Sequence, residues 1–102
     1  MKARLELHEK LCALLKSSNA YFQPPESMKL CYPCFVYSRN ADYVNKANNR
    51  LYMYEHNYQL TYITDDAETD MPQRVLREFP KCRYERVFPS DNLYHHIFDI
   101  YY

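Results

Sequence analysis

The sequence predicts an α+β domain, with two helices packed on one face of a mainly antiparallel sheet of four to five strands. Three observations carry that expectation. The stretch from Leu51 to Asp66, LYMYEHNYQLTYITDD, alternates with period two. Two segments, near the N-terminus and after Asp70, repeat their apolar residues at helical spacing. A final block from Cys82 to Tyr102 alternates again on either side of a Pro-Ser-Asp-Asn turn. Helices and strands in this order segregate into layers about one core.

The first helix spans about Lys2 to Lys16. Leu7, Leu11, Leu14 and Leu15 fall on one stripe, and Ser17-Ser18-Asn19 supplies the stop. Ala20 to Gln23 is long enough only for an edge strand. Pro24-Pro25 then forces an extended path, because each proline fixes its own φ and restricts the residue before it. Cys34 to Ser38, CFVYS, suits a central strand, with Pro33 tolerated at its start. Residues 39–50, RNADYVNKANNR, are polar and asparagine-rich, and are expected to project as an extended arm.

In the long strand Tyr52, Tyr54, His56, Tyr58, Leu60 and Tyr62 share one side. Glu55, Asn57, Gln59 and Thr61 share the other, so an unbroken strand of about twelve residues is expected, against five or six in most strands. Asp65 to Asp70 forms an acidic turn, with Asp70 as expected N-cap and Pro72 in the first turn of a helix from Met71 to about Glu78. That helix presents Met71, Val75, Leu76 and Phe79, and Pro80 ends it. In Cys82 to Phe88, alternation groups Cys82, Tyr84, Arg86 and Phe88. In Leu93 to Tyr102 it groups Tyr94, His96, Phe98, Ile100 and Tyr102.

Composition narrows function. The chain has 102 residues, enough for one domain with a single modest core. Its formal charge is zero, which disfavours a nucleic-acid binder working through a basic surface. Mean hydropathy is −0.67, and no apolar run approaches the roughly 18 residues of a membrane helix. MKARLELHEK has no apolar segment after its charges, so synthesis in the cytoplasm is expected. Glycine is absent, which removes Gly-rich phosphate loops. Tyrosine occurs 12 times, and tyrosine is enriched where subunits meet.

Candidate chemistry is sparse. Cys31-Tyr32-Pro33-Cys34 has redox spacing but leads into a strand, without the helix N-terminus that activates such a thiol. A zinc site could join this pair with Cys82 and a histidine, yet a second closely spaced ligand pair is missing. His95 and His96 point to opposite faces of a strand and cannot share one site. The acids at 65, 66, 68 and 70 lack the glycine of a calcium-binding loop. Arg39, Lys46 and Arg50 support at most weak, salt-sensitive contact with phosphates. No catalytic residue, metal ligand or cofactor is assigned, and assembly is the expected role.

With LHEKLCALLKS, YPCFVYS, YQLTYITDD, MPQRVLREF and PSDNLYHHIFDIYY in this order, the chain resembles the tail terminator, or tail completion, proteins of tailed bacteriophages. NAYFQPP and FPSDNLYHHIFDIYY are similar to small proteins of siphophage structural gene clusters. The resemblance implies a virion protein of the tail and neck, made in the host cytoplasm. It implies a ring, six copies in the family, that caps the tail-tube protein, stops tube growth and meets a head-closure or connector protein. DNA would pass through without sequence-specific binding. Alternation then suggests Glu55, Asn57, Gln59, Thr61, Tyr94, Tyr101 and Tyr102 for the subunit interface. Arg39, Tyr43, Lys46 and Arg50 would form the partner-facing arm. Two other readings are a different neck ring and a small nucleic-acid-binding domain whose tyrosines stack on bases.

Overall fold

The structure, a computed structural model, describes residues 2–40, 43–47 and 50–102, with side chains described for residues 4–40 and 56–102. Helix α1 runs Lys2–Leu15, followed by strands β1 (Ala20–Phe22), β2 (Cys34–Arg39), β3 (Tyr43–Ala47), β4 (Arg50–Glu55) and β5 (Asn57–Thr64). Helix α2 (Met71–Glu78) and strands β6 (Cys82–Ser90) and β7 (Leu93–Tyr101) complete the order. Five strands form one sheet, ordered β1-β2-β5-β7-β6, and β3 and β4 form a separate two-stranded ribbon. Among the described residues only β1–β2 is parallel. The fold is α+β, with both helices on one face of a mainly antiparallel sheet.

The core follows the expected periodicities. Leu7 and Leu11 of α1 and Met71, Val75 and Phe79 of α2 pack on Phe35, Tyr37, Tyr58, Leu60, Tyr62, Phe98 and Ile100. Register makes this one face, because Phe35 pairs with Tyr62, Tyr37 with Leu60, and Leu60 in turn with Phe98. Side chains directly opposite each other stand on the same side of a sheet. Leu76 of α2, expected inside, is 39% exposed. The other sheet face carries Cys34, Val36, Gln59, Thr61, Ile63, Ile97 and Asp99 and, among the described residues, no helix.

Without glycine, the turns that need positive φ are made by other residues. Lys16 has φ 57° just past α1, and the Ser17 N–H donates to the Cys12 carbonyl at 3.2 Å, closing the helix in a Schellman pattern. Another free carbonyl near that end, Leu14, accepts from the Arg74 guanidinium of α2 at 3.0 Å, which ties the helices together. Asp91 and Asn92 have φ 54° and 63°, the two left-handed residues of a tight hairpin. The β6–β7 turn is therefore two residues, and β6 extends through Pro89 to Ser90.

Four local expectations change. The long strand is two strands in different sheets, interrupted at His56. β5 pairs with β2 and β7 as far as Arg39↔Tyr58 and Tyr101↔Asn57, and the ladder with the main sheet ends there. β4 pairs instead with β3, from Tyr43↔Glu55 to Ala47↔Arg50, and the expected loop is half of a ribbon. Asp70 makes no side-chain cap; Thr69 Oγ1 accepts the Met71 N–H at 3.1 Å. The grouping of Cys82, Tyr84, Arg86 and Phe88 fails at a bulge between Tyr84 and Arg86. One extra residue reverses the alternation. Arg86 and Phe88 stand opposite Ile97 and His95 on the helix-free face, and Val87 joins Tyr84 on the helix side.

Candidate functional site

Two features stand out from the packed body: the β3–β4 ribbon and the β6 edge. Among the described residues β3 and β4 pair with each other and with no strand of the main sheet, and the molecule measures 50 × 26 × 23 Å. Its root is braced. The Asn40 N–H donates to the Asn57 carbonyl at 2.8 Å and the Tyr102 N–H to the His56 carbonyl at 2.9 Å. Arg39 donates its backbone N–H to Gln23 Oε1 at 3.1 Å. The Arg39 guanidinium bonds His56 Nδ1 and lies 5.8 Å from the Tyr58 ring centre. Arg39 therefore anchors the arm's base. Tyr43 and Lys46 lie on β3 and Arg50 on β4; their side chains, like that of Glu55, fall outside the described residues.

The expected interface residues separate. Gln59 is exposed and Thr61 half-buried on the helix-free face. Asn57 is buried, its amide donating to the Ile100 carbonyl at 3.3 Å, so its side chain serves the body of the domain. Tyr101 is exposed. Tyr102 turns onto the helices: it meets Phe79 edge-on, Lys10 Nζ sits 4.9 Å from its ring centre, and its hydroxyl donates to Glu6 at 3.4 Å. Tyr94 is half-buried in the wall of an open cleft of about 430 Å³ between Asp65 and the β6–β7 turn.

The thiols and imidazoles have structural surroundings. Burial pushes Cys34 up to about 11, with the neighbouring Cys31 adding to it, and Cys82 up to about 12, with Asp99 adding to it. That direction opposes thiolate formation. Cys34 pairs with Ile63 and Cys82 with Ile100, at opposite ends and on opposite faces of the sheet. Among the described residues, no three His, Cys, Asp or Glu side chains gather as a metal site.

His95 and His96 do face opposite ways. His95 stacks on Phe88 at 5.1 Å with the rings 5° apart. His96 is buried, and its Nδ1 shares a 2.7 Å hydrogen bond with the Tyr84 hydroxyl while Nε2 has no partner. Burial lowers its pKa, with His95 adding to the effect.

Sequence reasoning missed the β6 edge. Among the described residues β6 pairs with β7 alone, and every residue from Glu85 to Ser90 is exposed. Tyr84, Val87 and Phe88 on it are 37%, 49% and 38% exposed. The apolar content of CRYERVF is visible in sequence, but its place at the margin depends on β7 inserting between β5 and β6.

No helix in the described residues is long and apolar enough to cross a membrane. No family model matches the chain, and neither a curated protein nor a solved structure matches it.

Proposed function

We propose that this chain is a structural subunit of a tailed-phage neck, a tail terminator that forms a ring at the head-proximal end of the tail. The observation that carries the reading is the self-paired ribbon extending from a sheet with helices on one side only. A closed ring needs one surface on each subunit to fit a different surface on the next. Gln59 and Thr61 on the helix-free face, Glu55 at the ribbon's base and exposed Tyr101 supply one such surface. The ribbon, through Tyr43, Lys46 and Arg50, reaches towards the neighbour or the tail-tube protein. The opposite side of the ring meets the head-closure protein, and DNA passes through without base recognition. The role requires neither a cofactor nor catalysis, and it places the mature protein in the virion.

The test is solution mass by light scattering at several salt concentrations, alone and with preformed tail tubes. A discrete ring, free or only on tube ends, is expected. A chain that stays monomeric and ignores the tubes would overturn the reading. Salt-sensitive retention of single-stranded DNA by that monomer would favour the base-stacking alternative.

A further inference from the structure

We infer that two copies of this chain join through their β6 edges, antiparallel about a two-fold axis between Glu85 and Arg86, to give a continuous ten-stranded sheet. This contact is separate from the ring surfaces proposed above, none of whose residues lies on β6.

The first support is the edge itself. β6 is nine residues long, is paired on one side only among the described residues, and carries three large exposed apolar side chains. Edge strands of this length are templates for another chain unless charge, proline or a bulge blunts them; on β6 Pro89 lies near the strand end, and Glu85 and Arg86 at the bulge are of opposite sign, so they can pair across a two-fold axis. The opposite margin, β1, has only three residues, so β6 is the edge that invites a partner.

The second support is self-complementarity. In this register Glu85 meets Arg86 of the second copy, and Arg86 meets Glu85, two opposite-charge pairs related by the axis. Tyr84 meets Val87, an aromatic beside a β-branched residue, a favoured cross-strand pairing. Arg83 meets Phe88, and Cys82 meets Pro89.

The third support is that faces agree. Within one copy Cys82, Tyr84, Val87 and Pro89 pair with Ile100, Phe98, His96 and Tyr94, all on the helix side. Arg83 and Phe88 pair with Asp99 and His95, on the helix-free side. Each residue thus meets one from its own face. That agreement depends on the bulge: without the reversal it introduces, Tyr84 and Val87 would lie on opposite faces. The half-exposed Tyr84 and Val87 would then extend the helix-side core across the junction, with the helices of both copies on one side of the sheet.

Sedimentation velocity over a concentration series tests this. The wild-type chain should reach at least twice its mass. E85R or R86E each sets like charges opposite one another twice, and should weaken the dimer about tenfold. The double variant E85R/R86E should restore it, and an equimolar mixture of the single variants should form a mixed dimer. Hydrogen exchange on the wild-type protein gives a readout free of substitutions: amides of residues 83–88 should become slower to exchange as concentration rises. A wild-type chain of single mass at every concentration, or a dimer indifferent to both swaps, would overturn the inference. So would concentration-independent exchange along β6. A larger ring that forms equally in wild type and both swaps would overturn the edge contact while leaving the neck assignment in place.

Discussion

His96 is a buried side chain whose ordinary pKa lies near neutral pH. Its ring lies between Tyr62 and Tyr84, with centres 6.0 and 5.9 Å away, and its unpartnered Nε2 is shielded from solvent. Protonating it would bury a charge beside aromatic rings, which burial disfavours. The folded pKa lies below the ordinary 6.5, so between the two values the unfolded chain binds more protons. Stability from this residue is complete above about 6.5 and declines as pH falls towards the folded value. Calorimetry from pH 7.5 down to 5 should therefore show a falling Tm, and H96F should flatten the decline. A second residue-scale prediction concerns Lys16. A left-handed conformation costs a residue with a Cβ about 1–2 kcal/mol, a cost glycine avoids. K16G should stabilise the fold by about 1 kcal/mol, read from urea unfolding. The leucine stripe of α1 was legible at this scale, as were Tyr58, Leu60 and Tyr62. The 2.8 Å bond between His8 Nδ1 and the Tyr37 hydroxyl was not, because it joins residues 29 positions apart.

Among elements, the ribbon and the bulge show where periodicity stops being informative. Alternation continues from Leu51 through Ile63 without a break, yet the backbone assigns its halves to different sheets. Pairing partners decide that, and they lie at Tyr43–Ala47 and Leu93–Tyr101, outside the stretch being read. The bulge at Glu85 is likewise fixed by register with β7. Arg83 bonds Asp99 at 3.0 Å before the bulge and Arg86 faces Ile97 after it, so an alternating sequence carries two opposite facings. The ribbon's separation from the main sheet has a direct test. Replacing residues 42–55 with a short turn should leave the thermal transition within a few degrees of wild type, since β3 and β4 pair with each other and not with a strand of the main sheet. The same variant should fail to join heads to tails in an assembly reaction. Normal joining would remove the ribbon from the proposed role.

For the whole molecule, the α+β class and the placing of both helices on one face were legible in the sequence, whereas the strand order was not. Class follows from counting periodic segments. Order depends on which strands meet across long intervals, as when Ala20 aligns with Phe35 in parallel or Leu60 lies between Tyr37 and Phe98. The same distinction limits the functional reading. The surplus of tyrosine pointed to contact surfaces, but Tyr37, Tyr58 and Tyr62 are core, and Tyr102 is held by the helices. The proposals of assembly draw instead on the helix-free face at Gln59 and Thr61, the β6 edge and the ribbon.

The position of β7 also governs when the protein can fold. β7 lies between β5 and β6, although it is synthesised after both. Until Leu93–Tyr101 has left the ribosome, β5 lacks one of its two neighbours and β6 lacks its only one. A nascent chain halted at the β6–β7 turn would display two unsatisfied strands, with Tyr58, Leu60 and Tyr62 beside an empty slot. Closure of the sheet therefore waits for β7, which enters between two strands made before it rather than adding at the side.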